Sequence, residues 1–285
     1  MDVTYEATRR ELTTDQGVLR YHEAGDPSAP ALMLLHGSGP GVTGWRNFRG
    51  NLWVFAQTHH CYILEFPGFG VSDPVDGHPV LTAGASVIRF MNALGISSAA
   101  LLGNSMGGVV AVNLAIKHPD RVDKLITIGG IGPNVFSPGP SEGLRLLQEF
   151  TDAPDRDKLV RWLNSMVYDV DVVTDELIDE RWAAAQDPSA RATASMMYGS
   201  KAFAMQQKFL ADADFPPYWA MLHKVKCPTL ITWGRDDRVS PPDMAMVPAR
   251  LIPNAELHVF PRCGHWVMIE AKEAFETTVR AFLLR

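Results

Sequence analysis

The sequence predicts an α/β fold, a mostly parallel central sheet flanked by helices with a helical lid inserted into it. Three observations carry the expectation. Short runs rich in Ile, Leu and Val recur along the chain, helical spacing fills the gaps between them, and the alternation lapses over residues 134–214 before it resumes. Strands that alternate with helices build a sheet from βαβ units.

The strand candidates are residues 31–35 (ALMLL), 61–66 (CYILEF), 99–103 (AALLG), 124–129 (KLITIG), 229–234 (TLITWG) and 255–260 (AELHVF). Their apolar residues run on rather than alternate, as in parallel strands covered on both faces. Between the second and third, Val87, Phe90, Met91 and Leu94 keep the i, i+3, i+4, i+7 spacing of a helix, with Thr82 as its start. From Ser105 to His118 the residues are small and apolar, and Pro119 stops the helix they predict. Within 134–214 three helical patterns follow one another without a strand. Leu144, Leu147 and Phe150 form the first, Leu159, Leu163 and Met166 the second, and Leu177, Ile178 and Trp182 the third, opened by Thr174. Pro and Gly cluster at its start (GPNVFSPGP), and FPPY marks its end. Residues 1–133 and 215–285 then make one core, and 134–214 the lid. The charge runs Asp152 to Lys158 and Glu270 to Glu276 read as solvated faces.

Composition narrows the class of protein. At about 150 residues per domain, 285 residues make one large domain or one domain with an insertion. With 46% apolar and 20% charged residues the chain is neither disordered nor fibrous. Lys and Arg number 26 against 32 Asp and Glu, a net charge of −6 that argues against a nucleic-acid groove or an anionic membrane surface. No apolar run approaches the roughly 18 residues of a membrane span, and the start, MDVTYEATRR, is too polar for a signal peptide. Cys61, Cys227 and Cys263 are far apart with no CxxC, so neither a disulfide scaffold nor a zinc site is expected, and a reducing cytoplasm fits.

The chemistry concentrates after the strands. Gly103-Asn104-Ser105-Met106-Gly107 sits between a strand and a helix. A serine at such a turn is lifted clear of the sheet, its backbone is strained, and side chains in place of the flanking glycines would collide. Free N–H groups at the helix start can stabilise an oxyanion beside it. A nucleophilic serine needs an acid and a base, which in one recurrent arrangement follow it in that order. Asp237, after TLITWG, supplies the acid; its neighbour Asp236 competes, since one of the two could cap a turn. His265, in Cys263-Gly264-His265-Trp266 after AELHVF, supplies the base. Of the other histidines, His258 lies within a strand, while His59, His60, His78 and His118 fall in expected surface turns. The glycines of His36-Gly37-Ser38-Gly39-Pro40-Gly41 let backbone N–H groups approach a reacting carbonyl. A dinucleotide fingerprint competes there: Gly39, Gly41 and Gly44 have the G-x-G-x-x-G spacing, with Glu65 further on. Pro40 fits it poorly, and it explains neither Ser105 nor His265. Arg181 shares an apolar helix face with Leu177 and Ile178, so it either snorkels to water, pairs with a nearby acid as a surface arginine, or meets an anionic ligand. Asn47 would otherwise be a turn residue.

Together these residues resemble the α/β-hydrolase superfamily, and more narrowly the meta-cleavage product hydrolases, which cleave carbon–carbon bonds in bacterial aromatic and steroid ring degradation. The resemblance covers nearly the whole chain. It rests on LLHGSGPG (34–41), Trp45 with Asn47, GNSMGG (103–108), MVYD (166–169), Arg181-Trp182, WGRDDRV (233–239) and CGHW (263–266). It implies a triad of Ser105, Asp237 and His265, an oxyanion hole from backbone N–H groups near Ser38 and Met106, and a dienoate site from Gly39, Asn47, Asn104, Arg181 and Trp266. The implied substrate is a small anionic 2-hydroxy-6-oxohexa-2,4-dienoate, cleaved to 2-hydroxypenta-2,4-dienoate and a carboxylic acid. It requires no metal or organic cofactor, and relatives commonly form dimers or larger homo-oligomers. A carboxylesterase or another α/β-hydrolase with the same triad is the alternative. Two departures stand out: Ser38 replaces a glycine present in many relatives, and much of 187–215 matches the family's motifs poorly.

Overall fold

The computed structural model of the chain describes residues 4–212 and 217–285. Helix α1 (Tyr5–Thr8) leads into strands β1 (Arg9–Thr14), β2 (Gly17–Ala24) and β3 (Ala31–Leu35). Helix α2 (Gly44–Phe55), β4 (His60–Leu64), α3 (Pro79–Ala93), β5 (Ala99–Asn104), α4 (Met106–Lys117) and β6 (Val122–Ile128) follow. Five helices come next: α5 (Glu142–Asp152), α6 (Arg156–Met166), α7 (Asp175–Ala185), α8 (Pro188–Tyr198) and α9 (Ser200–Asp212). The chain ends with β7 (Thr229–Gly234), α10 (Met246–Leu251), β8 (Ala255–Phe260), α11 (Val267–Glu270) and α12 (Lys272–Leu283).

The eight strands form one sheet in the order β1-β2-β4-β3-β5-β6-β7-β8. From β4 to β8 neighbouring strands are parallel, and the β1–β2 hairpin joins antiparallel along β4. The unbroken apolar runs have a simple cause: alternate residues feed two cores. Leu32, Leu34, Ile63, Leu102 and Ile126 pack on one face with α2, α12 and the helices after β6. Met33, Leu35, Leu64, Leu101, Leu125 and Ile231 pack on the other with α3, α4 and α10.

Several expectations need correction. The sequence reading missed β1 and β2, whose residues are half polar and partly exposed. Strand β8 is not covered on both faces: Leu257 and Val259 are exposed, because it is an edge strand with β7 as its one neighbour. Helix α3 begins at Pro79, not Thr82, since proline's fixed φ suits a first turn; the Thr82 hydroxyl instead bonds back to Pro79 O. His59 and His60 are buried rather than in surface turns, and His60 opens β4.

Between β6 and β7 the described residues contain α-helices, short 3-10 turns and no strand, and the helices begin where their caps dictate. Ser141, Asp155 and Thr174 each accept an N–H of the first turn, opening α5, α6 and α7. Phe150, Trp162, Leu163 and Ile178 carry these helices onto the same core as the sheet. The end marker FPPY and the 214/215 boundary fall at or beside residues 213–216, outside the described residues. No described helix is long and apolar enough to cross a membrane.

Candidate active site

The loops after β3, β5, β7 and β8 leave the sheet at the carboxyl ends of parallel strands, where open α/β sheets place ligands. Ser105 follows β5 with φ 53° and ψ −114°. Its N–H donates to Ile128 O at 2.8 Å, extending the ladder to β6, and α4 starts at the next residue. The turn is this tight because glycine surrounds it. A Cβ on Gly107 would lie 2.0 Å from Leu35 O, and one on Gly103 2.3 Å from the Gly107 carbonyl carbon. Behind the serine run two glycines that sequence reasoning did not single out. A Cβ on Gly130 would sit 2.6 Å from Ser105 Cα, and one on Gly129 3.3 Å from His265 Cε1. Both have positive φ, at 75° and 61°. Their only signal in the sequence is the Gly pair at the end of a strand.

Asp237 and His265 are brought together. The His265 Nδ1–H donates to Asp237 Oδ2 at 2.7 Å, with both side chains buried. Asp237 Oδ1 accepts the N–H groups of Val239 and Ser240, each at 2.8 Å, which fixes the carboxylate. Asp236 points elsewhere, pairing with Arg235 at 3.2 Å and accepting from Cys263 N. With its proton on Nδ1, a neutral His265 presents Nε2 as an acceptor for a hydroxyl proton. Among the described residues Ser105 Oγ makes no hydrogen bond; the Gly129–Gly130 backbone relates it to His265. Serine–base bonds are often long without substrate.

The glycine loop after β3 is held from both sides. Buried His36 donates from Nδ1 to Gly37 O at 2.6 Å and accepts the Phe66 N–H on Nε2 at 3.0 Å. Burial pushes it down to about 4, so it stays neutral. Asn47 Oδ1 accepts the Gly37 N–H at 3.0 Å, so this end of the amide supports the loop. Asn104 is buried beside Gly37, its Nδ2 donating to Ile128 O at 3.2 Å. The Ser38 hydroxyl bonds to the hydroxyl of Tyr198 on α8, a residue that nothing local in the chain singles out. Gly39 packs on the Trp162 ring, where a Cβ would approach Cη2 to 2.2 Å, and Gly41 on the Arg181 backbone. Helices α6, α7 and α8 therefore roof the loop. The dinucleotide reading fails here: Glu65 itself accepts the N–H groups of Gly44 and Trp45 at 2.6 and 2.8 Å, occupying the helix start where a phosphate would bind. Burial raises this carboxyl to about 7, against the pull of those two bonds.

Arg181 is the outlier in charge. It is 5% exposed, donates from Nη1 to Pro40 O at 3.0 Å, and stacks 5.2 Å from the Trp266 ring. Its Nε is buried without a partner, and among the described residues it makes no ion pair. The neighbouring Glu180 faces Arg46 and Arg49 instead. Burial, and then the nearby Arg46, lower Arg181 to about 9. The reading of a surface arginine paired with an acid is thus corrected. A buried guanidinium without a counter-ion is costly, and an anionic ligand would supply what it lacks.

The solvated reading of the 270–276 charge run is corrected too. Glu276 is buried and accepts from Asn51 and Lys272. Glu270, half-buried, accepts three backbone N–H groups.

Residues 30–272 match the family model of the alpha/beta hydrolase fold, and the chain belongs to that family. Its relatives place it further, among the meta-cleavage product hydrolases. It is 39% identical over 279 residues to the 2-hydroxy-6-oxononadienedioate/2-hydroxy-6-oxononatrienedioate hydrolase of Burkholderia vietnamiensis, covering 94% of this chain and 91% of that protein. It is also 39% identical over 258 residues to the 2-hydroxy-6-oxo-6-phenylhexa-2,4-dienoate hydrolase of Burkholderia cepacia, covering 89% and 87%. Among solved structures, the 2-hydroxy-6-oxo-6-phenylhexa-2,4-dienoate hydrolase of a Rhodococcus strain superposes with TM-score 0.86 at 27% identity, over 97% of this chain and 98% of that one.

Proposed function

We propose that this chain hydrolyses the C5–C6 bond of a 2-hydroxy-6-oxohexa-2,4-dienoate, with Ser105, Asp237 and His265 as its triad and Arg181 as the anchor of the dienoate carboxylate. The observation that carries this reading is Arg181 itself, a buried cation with no carboxylate partner among the described residues, at a loop shared with the candidate oxyanion hole. A neutral ester offers nothing to such a group. A planar guanidinium suits a carboxylate with an adjacent oxygen. Trp266 closes one face of it, and Asn104, Gly39 and Asn47 border the same loop.

The chemistry then runs in order. The dienol becomes its keto tautomer, which gives the departing carbon an electron sink. His265 Nε2 takes the Ser105 proton as the hydroxyl attacks the 6-oxo carbonyl. Backbone N–H groups near Ser38 and Met106 hold the developing oxyanion. Cleavage passes the C5–C6 electron pair to the 2-oxo oxygen, His265 returns its proton to the departing fragment as 2-hydroxypenta-2,4-dienoate leaves, and water hydrolyses the acyl group left on Ser105 with the neutral His265 as base. Small-molecule binding by a homo-oligomer in the cytoplasm completes the reading.

The test compares two substrate classes. Loss of the dienolate absorbance is followed for dienoates with phenyl and carboxyethyl groups on C6, alongside p-nitrophenyl acetate. Arg181→Gln should cut dienoate kcat/KM by about 100-fold, the scale of a lost charged hydrogen-bond pair, and change ester hydrolysis less than about threefold. Equal losses on both would overturn the assignment.

A further inference from the structure

Glu270, at the end of α11, joins two segments that are remote in sequence. Its Oε2 accepts the Gly264 N–H at 2.7 Å, one residue before His265. Its Oε1 accepts the N–H groups of Tyr168 and Asp169, at 2.7 and 3.2 Å, in the connection between α6 and α7. The same two segments touch directly: the His265 N–H donates to Met166 O at 2.6 Å, and a Cβ on Gly264 would lie 2.6 Å from that oxygen. Arg238, the residue after Asp237, reaches the connection as well, donating to Asn164 O and Val167 O. Both loops that deliver the acid and the base are therefore fastened to residues 164–169, and α7, which follows, carries Arg181.

We propose that Glu270 is a positioning residue that makes the placement of His265 depend on the seating of the inserted helices. This rests on the reading of His265 as the base. One carboxylate can satisfy three converging N–H donors because both of its oxygens accept; an amide has a single oxygen and turns donors toward donors at its other end. Glu270→Gln keeps the shape and breaks one side of the fastening. A substrate anion drawn to Arg181 would pull α7 down, and through the α6–α7 connection and Glu270 would hold the base in line.

The test uses Glu270→Gln and Glu270→Asp, assayed well below their melting temperatures on the C6-phenyl dienoate and on p-nitrophenyl acetate. For Glu270→Gln, kcat should fall about tenfold on both substrates with KM within about twofold. A serine-directed phosphonate should label Ser105 more slowly by the same factor. Backbone amide exchange should quicken together in residues 164–170 and 262–266, and Glu270→Asp should recover part of each effect. Unchanged kcat in a variant that has lost amide protection overturns the proposal, as does a loss confined to KM or to thermal stability. Should Glu270→Gln fail to fold, the wild-type protein decides: Gly264, Tyr168 and Asp169 amides that open as one unit support the coupling, and independent opening overturns it. If the dienoate is not turned over while ester hydrolysis slows tenfold, the positioning role stands and the substrate reading falls.

Discussion

At the scale of single residues, what was legible in the sequence is what its chemistry confines to a short stretch. Gly103 and Gly107 announce a turn because no other residues fit there: the Gly107 Cα faces Leu35 O across a gap that admits no methyl group. Gly107→Ala would push α4 off β3 and should destabilise the protein by at least about 3 kcal/mol, roughly 10 °C in melting temperature, with labelling of Ser105 lost in parallel. An unchanged melting curve would refute that account of the motif. Arg181 was legible as a question: its spacing placed a cation on an apolar face, and the structure adds that it is buried without a counter-ion among the described residues. Tyr198 and Glu270 were not legible. Each acts through a partner distant in the chain, Ser38 for one and Tyr168 with Gly264 for the other, and nothing local distinguishes them from surface residues.

Elements are readable where one physical rule dominates. Parallel strands that feed two cores have to be apolar throughout, and β3 to β7 were found on that basis. The hairpin β1–β2 obeys a weaker rule, since one side meets water, and β8 alternates apolar residues with Glu256 and His258, its edge position leaving Leu257 and Val259 exposed. Helix α2 shows how an element can serve a site at one remove. Glu65 caps its first turn, and α2 then presents Asn47 to the Gly37 N–H. Glu65→Ala would leave two N–H groups without their acceptor. We expect a loss of about 2–3 kcal/mol in urea denaturation and a fall in kcat as the glycine loop loosens. Full stability in this variant would show that water replaces the carboxylate.

For the molecule as a whole, buried titratable groups shape the response to acid, and among the described residues that titrate between about pH 4 and 7, His36, His22 and Glu65 are displaced furthest. His36 and His22 are both held down to about 4 by burial, while the unfolded chain takes up these protons near 6.5. Between those values the unfolded state binds more protons, so stability falls as pH falls. Glu65 opposes them. Its folded carboxyl keeps a proton up to about 7 and its unfolded one releases it near 4.5, so stability falls as pH rises through that window. His22 Nε2 lies 3.9 Å from Glu65 Oε1, so these two titrate as a pair with opposed effects, and His36 adds a further loss toward acid of at most about 3 kcal/mol. The urea midpoint should therefore be lower at pH 4.5 than at pH 7, and His22→Gln should recover part of the difference. A midpoint that is flat or higher at pH 4.5 would contradict this balance.

The order of strands has a consequence in time. Ser105 follows the fifth strand and Asp237 the seventh, but His265 comes after the eighth, which pairs along β7 from Ala255 to Phe260. A chain emerging from the ribosome can lay down most of the sheet, with the serine already strained in its turn, and still lack the residue proposed as its base. Reactivity would arrive in one late event, when the last strand docks and His265 reaches Asp237. A nascent or truncated chain halted at Asn254 should be inert toward phosphonates, however well the rest has folded, so the hydroxyl is kept harmless until the molecule around it is nearly whole.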